Sequence, residues 1–471
     1  MFSFMFYDLT FLVIFSIAIG IFLYLKRKNL KREGLMFLYR TNIGLKIMDN
    51  LAKKYPKTIK ILSYIVIVVG YALMALAFYF LAQLIYAFTK PAFVKLIKVP
   101  PIMPLIPYLP SLFKIDWLPP FYFTYWIAAI AIIAIAHEGC HGIFARFYNV
   151  RIKSTGFGFL GPFLAFFVEQ DEKQMQKAKP FPQMSILGAG VFANVIMMVL
   201  FSIIFAVFFY TAYSPAGVMF NDYSFSVMPF LAINSSSLTG ENLTIDGIEM
   251  IGISLNNRNY LVNKDIFNLS NALELNSTLV KLYWDEPAIR NSLKGAIIKI
   301  NDKEIRSAQD ISSEIRNHKP YDNITLQTKY KEGNNISILN YTLALGEDYE
   351  NESRAIIGIA TVQPTSLGFR RVFYTILTWF KDPSIYYEPK AAPEFTVFIY
   401  NLFLWIILIN ASVAIVNMLP LGIFDGGRFF YLTILTLTKN EKIANNAFKL
   451  VTLLLLGIVC FLMILWIVGI R

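Results

Sequence analysis

The sequence predicts a multi-span α-helical membrane protein, with about six transmembrane helices and an inserted extracytoplasmic α/β domain. Three observations carry this. Of 471 residues, 56% are hydrophobic and only 16% are charged, against about 25% charged in soluble globular domains. Mean hydropathy is +0.53, and so much apolar side chain needs lipid as its solvent. The apolar residues gather into runs of about 20 or more, the length that crosses a hydrocarbon core. The polar residues gather too: from about 214 to 365 the chain turns rich in Asn and Ser.

Six spans follow in order, at 4–25, 61–88, 121–147, 183–213, 394–418 and 447–470. The first is expected to stay in the chain. No small-residue cleavage site follows it, and Lys26, Arg27, Lys28, Lys31 and Arg32 read as a stop-transfer signal. The formal net charge is +12. In a membrane chain excess Lys and Arg belong to cytoplasmic loops and lipid headgroups, and no aromatic-interleaved basic patch points to nucleic acid. Segment 26–60 is therefore expected in the cytoplasm. Segments 146–180 and 438–449 then fall on the same side, with both termini outside. The expected location is the cell membrane. Four regions result: 1–120, 121–213, 214–365 and 366–471.

Between the spans, 89–119 holds prolines at 91, 100, 101, 104, 107, 110 and 119 and is expected as an irregular outer loop. Residues 155–169 are apolar but too short, and too broken by Gly and Pro, to span. They read as a re-entrant or strand-like element, tolerated at membrane depth only where protein or water satisfies its backbone. That makes them a candidate wall of a polar cavity. In 214–365, strand-like runs occur at Ala296–Ile300, Ile324–Thr328 and Ile336–Leu343. Eight N-x-S/T sequons begin at Asn234, Asn242, Asn268, Asn276, Asn323, Asn335, Asn340 and Asn351. They agree with an outside location if used, although an Asn-rich composition also generates them by chance. Cys140 and Cys460 both sit in apolar runs and give no disulfide framework.

The third span carries His137-Glu138-Gly139-Cys140-His141. Residues i and i+4 share a helix face, so the two imidazoles converge. Two neutral imidazoles suit Zn²⁺, and the glutamate beside them suits a general base for a metal-bound water. The chain has three histidines, and two lie here, inside an apolar span. A charged side chain left unpaired at that depth costs about 2.5 kcal/mol or more. The bland alternatives are a polar cluster gluing helices together or a proton relay.

A zinc site needs a third ligand. A third histidine after His141 is missing, since Phe144 and Phe147 stand there, and His318 lies in the polar domain. The best candidate is Asp425, in Asn417-Met-Leu-Pro420-Leu-Gly422-Ile-Phe-Asp425-Gly426-Gly427-Arg428. Arg428 competes for it as an ordinary salt-bridge partner, and Glu169 is the second candidate ligand. Cys140 reads as a packing residue. In the fourth span, Gly188-Ala189-Gly190 allows close helix approach. Asn194 below it, and Asn417, are candidate substrate-binding amides or oxyanion donors, with helix–helix hydrogen bonding as the alternative.

With these residues, the chain resembles the site-2 protease family of intramembrane zinc metalloproteases. The resemblance rests on the His-Glu-x-x-His span, the Ala-Gly-x-x-x-Asn element at 189–194, and the Asn-x-x-Pro-x-x-x-x-Asp-Gly-Gly element at 417–427. It implies His137, His141 and Asp425 as zinc ligands, Glu138 as base, and Asn194 and Asn417 as substrate contacts. It also implies a PDZ-like domain on the extracytoplasmic side. Residues 279–346 are similar to one, with 214–278 as the candidate second, divergent copy. Val191 and Gly422 stand where that family often has proline, which bears on local backbone and removes no ligand. The implied partners are transmembrane segments of other membrane proteins, cut within the bilayer. Two other classes stay open: a non-catalytic scaffold holding partners on its outer domain, and a metal- or proton-coupled transporter. A transporter favours inverted repeats, and none is visible.

Overall fold

The structure is a computed structural model describing residues 4–89, 100–230, 238–265, 279–360, 375 and 379–469, less positions 102, 114, 116, 117, 246, 257, 333, 334 and 350. The chain forms two compact units. One comprises Met1–Phe209 with Glu394–Arg471, and the other Tyr210–Pro393.

Six helices are long and apolar enough to cross a membrane: Phe4–Leu25, Pro56–Phe88, Phe123–Phe147, Pro180–Ala212, Pro393–Val416 and Glu441–Val468. They match the expected spans closely. In chain order, helix α1 (Phe4–Leu25) leads into a hairpin of β1 (Leu30–Glu33) and β2 (Met36–Thr41). Helix α2 (Leu45–Lys54) starts behind Gly44, whose positive φ of 86° turns the chain. Helix α3 (Pro56–Phe88) begins with Pro at its first position, where no N–H is needed. Helix α4 (Phe123–Phe147) carries the His-Glu-x-x-His turn. Strands β3 (Ile152–Leu160) and β4 (Phe163–Gln170) give the strand-like reading of 155–169 its form, a hairpin. Helix α5 (Pro180–Ala212) follows.

The two hairpins join into one antiparallel sheet ordered β1-β2-β3-β4, with Leu38 opposite Gly158 and Gly158 opposite Ala165. The sequence reading gave 26–55 only a basic loop, so β1, β2 and α2 are additions. Much of the expected outer loop, 90–99 included, lies outside the described residues. The Tyr108 hydroxyl in the rest of it donates to Asp8. Asp8 lies within α1, is 1% exposed, and also accepts the backbone N–H groups of Phe123 and Thr124 at 2.9 Å each. The first helix thus supplies the carboxylate that caps α4, satisfying two donors the helix start leaves free.

The second unit is built around two larger sheets, with two further two-stranded pairings, Gly346–Asp348 with Asn351–Ile356 and Asp222–Tyr223 with Ile359–Ala360. Strand β5 (Tyr213–Val218) comes first, followed by β6 (Phe225–Pro229), β7 (Leu238–Ile245), β8 (Ile248–Leu255), β9 (Arg258–Asn263) and β10 (Leu279–Trp284). Next come β11 (Ala296–Ile300), helix α6 (Ala308–Ile315), β12 (Asn323–Glu332), β13 (Asn335–Ala344) and, last, β14 (Ile385–Pro389). One sheet runs β6-β10-β9-β8-β7, and the other β13-β12-β11-β5-β14 with the short strand Lys303–Glu304 on β11. Ser307 and Asp310 form a capping box at the start of α6. Ile311 and Ile315 on that helix pack with Ile297, Ile300, Ile324, Leu326 and Leu343 from the strands, so the three expected strand runs do build a core. The unit reaches Pro393, beyond the expected limit of 365, because β14 returns to pair with β5. In 214–278 the described residues form strands and no α-helix. The sequon residues Asn242, Asn323, Asn340 and Asn351 are exposed. Asn234, Asn268, Asn276 and the side chain of Asn335 lie outside the described residues. The chain then forms α7 (Pro393–Val416), α8 (Asp425–Thr438) and α9 (Glu441–Gly469).

One buried acid in the second unit gives it a pH dependence. Glu286 is 5% exposed, and burial pushes its carboxyl up to about 7, with Asp285 and Asp348 adding repulsion against the pull of Arg258. The folded unit therefore holds this proton more tightly than the unfolded chain. Its stabilising effect is full below about pH 4.5 and is lost as pH rises to about 7, by at most roughly 3 kcal/mol. Amide exchange in the unit's sheets, corrected for intrinsic rates, should be slower at about pH 5 than at about pH 8, and Glu286→Gln should flatten the difference. Equal protection in wild type at both pH values contradicts this.

Candidate metal centre

His137 and His141 lie one turn apart on α4, both buried at 8% and 6% exposure. Their Nε2 atoms are 3.1 Å apart. Asp425 opens α8, behind Phe424 in extended conformation. Its Oδ2 lies 3.4 Å from His137 Nε2 and 3.3 Å from His141 Nε2. Among the described residues these three form the one His/Cys/Asp/Glu group whose ligand atoms lie within 4.8 Å of one another. A tetrahedral zinc with bonds of about 2.0–2.1 Å has ligand–ligand edges of about 3.3–3.4 Å. The triangle found has nearly those edges, so the donor set fits zinc in both chemistry and size.

The backbone explains how Asp425 gets there. The chain leaves α7, turns at Pro420 and folds back on itself, and the Gly426 N–H donates to Asn417 O at 2.7 Å. A Cβ on Gly426 would sit 2.3 Å from the Met418 carbonyl carbon, and one on Gly427 2.3 Å from Leu421 O. The paired glycines let the loop lie against the first turn of α8. Arg428, the rival partner, turns away: its Nε and Nη2 donate to Gln183 Oε1 at 3.2 and 2.7 Å. Glu169 is occupied elsewhere, accepting from Arg40 Nε and the Ser154 hydroxyl at 2.8 Å each. Cys140 packs at the edge of an apolar cluster and is outside the triangle.

A second layer fixes the rings. His141 Nδ1 lies 2.6 Å from Ile186 O. A carbonyl only accepts, so Nδ1 carries the proton and Nε2 keeps its lone pair toward Asp425. His137 Nδ1 lies 3.0 Å from the Asn194 amide nitrogen, while Asn194 Oδ1 is buried without a partner. A half-turn of that amide satisfies both groups: Oδ1 accepts the Nδ1–H, and the Nε2 lone pair again faces the centre. Asn194 is fully buried and behind the ring. The sequence reading left it open between a substrate contact and a helix–helix hydrogen bond; its amide lies against the His137 ring on the neighbouring helix. Asn417, by contrast, lines the cavity with Glu138 and Asp425.

That cavity has a volume of about 270 Å³ and is lined also by both histidines and Gln170, room for several waters at about 30 Å³ each. Glu138 borders it, and its Oε2 accepts the Val168 N–H at 3.0 Å. Val168 lies on β4, the last strand of its sheet, so this N–H belongs to an edge with no strand partner among the described residues. Sequence reasoning missed Gly190. A Cβ there would lie 2.3 Å from His141 Nε2 and 2.7 Å from His137 Nε2. Its glycine was legible only as helix packing, because nothing local marks which neighbour comes close.

The family model for peptidase family M50 matches residues 125–462. An uncharacterized protein of Methanocaldococcus jannaschii is 32% identical over 195 residues, which is 40% of this chain and 48% of that protein. The match thus spans about half of that relative's length.

Gly190→Ala should drive a methyl between the two imidazoles. We expect zinc binding to weaken by about ten- to a hundredfold, the scale on which lost ligand support acts, with helix content unchanged by far-UV circular dichroism. Zinc retained at wild-type affinity would show that the rings do not converge on that glycine.

Proposed function

From the premise that the chain belongs to peptidase family M50, and so to a family of metalloproteases, we propose that it is an intramembrane zinc metalloprotease that hydrolyses peptide bonds within transmembrane segments of other membrane proteins. The single observation that carries this reading is the triangle of His137, His141 and Asp425 beside Glu138.

His137, His141 and Asp425 would hold the zinc. When bound, zinc polarises a carbonyl and brings the pKa of water toward about 7. Glu138 borders the cavity and takes the proton of the attacking water, then returns it to the departing amine nitrogen. Ile186 O and the Asn194 amide keep both imidazoles with Nε2 inward throughout. Asn417, on the cavity wall, is placed to orient the substrate backbone or its developing oxyanion.

A helical substrate hides its carbonyls in hydrogen bonds, so it must unwind before cleavage. In this reading the edge of β4, which has no strand partner among the described residues, offers the unwound segment a partner by strand addition. Backbone groups alternate along a strand, so Leu164 and Phe166 present theirs to the edge that Val168 faces. The Val168 N–H now held by Glu138 stands in that row. In the second unit, residues 279–346 act in this reading as a PDZ-like domain. The basic segment 26–60 puts the ends of the spans that flank it in the cytoplasm and the second unit outside. There the unit would admit substrates already trimmed of their ectodomains.

Metal analysis and cleavage together test this. Purified wild type should carry one zinc per chain, lost from His137→Ala/Asp425→Ala. Glu138→Gln should keep the zinc and lose cleavage of a model membrane substrate by at least about a hundredfold. Zinc-free wild type removes the metalloprotease reading, and undiminished cleavage by Glu138→Gln removes the assigned base. Deleting 220–360 should raise cleavage of full-length relative to trimmed substrate; an unchanged ratio counts against screening.

A further inference from the structure

Helix α2 presents two unlike faces. On one, Met48 and Ala52 are buried at 6% each, and Asp49 pairs with Arg146 on α4 at 2.9 Å. Met48 presses on the residue after His141: a Cβ at Gly142 would lie 2.4 Å from Met48 Sδ. The other face is open. Ile47, Asn50, Leu51, Lys53, Lys54 and Tyr55 line a groove of about 610 Å³. Ile47 is 65% exposed and Tyr55 46%. The Lys54 ammonium sits 5.4 Å from the Tyr55 ring centre.

Position says what covers this groove. Tyr55 alone separates α2 from α3, which opens at Pro56 and crosses the membrane. Helix α2 therefore lies at a bilayer surface, where Tyr side chains gather and lysines extend to headgroups. A neutral lipid would leave Lys53 and Lys54 without a counter-charge, and neither lysine forms an ion pair among the described residues.

We propose that this groove binds an anionic phospholipid of the adjoining leaflet, its acyl chain along Ile47, Leu51 and Tyr55 and its phosphate between Lys53 and Lys54. The lipid seats α2, and α2, through Met48 at Gly142, braces the turn of α4 that carries His141.

The test is direct and independent of catalysis or metal. Purified full-length protein in detergent is titrated with phosphatidylglycerol or phosphatidylcholine, and bound lipid is read by native mass spectrometry. Phosphatidylglycerol should be held roughly tenfold or more tighter than phosphatidylcholine, the scale two surface lysines supply. Lys53→Gln/Lys54→Gln should abolish that preference, and Lys28→Gln/Lys31→Gln, in the same basic segment, should keep it. Equal affinity for the two lipids in wild type overturns the proposal. So does a preference that survives Lys53→Gln/Lys54→Gln, or one lost equally in both variants, which would mean a diffuse basic face.

Discussion

Three polar side chains that lipid would reject meet between apolar helices, and the arrangement of the membrane unit follows from that meeting. Each ionisable group alone costs about 2.5 kcal/mol or more at depth. Together, with donor atoms 3.1–3.4 Å apart, they cease to be liabilities and become a set of ligands. Closing the triangle requires residues almost 290 positions apart to converge. The fold achieves this with a helix broken after Val416, a loop that doubles back, and two glycines that admit it. It also requires a helix face with no side chain at Gly190, where the imidazoles need the space.

The sheet is the second consequence. Strand β4 leaves one edge unpaired, which would be costly inside hydrocarbon and is tolerable beside a polar cavity. Glu138 takes one of those edge donors. Glu138 and the edge of β4 are thus linked by a single hydrogen bond, and under the proposed function a peptide that pairs with this edge arrives beside the carboxylate. Positioning and chemistry share the same few ångströms.

Much of this was legible in the sequence, and the reasons for the exceptions are physical. The six helices announce themselves by length and hydropathy, because crossing a bilayer is a one-dimensional requirement. His137, Glu138 and His141 share a turn, so their spacing alone brings them together. Asp425 was legible by a different route, as a carboxylate in apolar surroundings that needed a cation. Arg428 competed for it until its guanidinium was found on Gln183. Strands β1 and β2 were not legible: at four and six residues, they exist because β2 pairs with β3 and β1 with β2, and such pairing leaves no local periodicity. Asn194 was legible as a buried amide, but not its neighbour His137, 57 positions away. A still longer separation in sequence hid the role of Asp8.

That carboxylate has a consequence for biogenesis. The partners of Asp8 are Tyr108, Phe123 and Thr124, made 100 to 116 residues later. When the first helix leaves the ribosome, its acid has nothing to bind. It must wait at the aqueous boundary, or stay with the insertion machinery, until the third hydrophobic segment emerges. The helices of this protein therefore do not settle one by one as they are synthesised; the first is finished only when the third arrives.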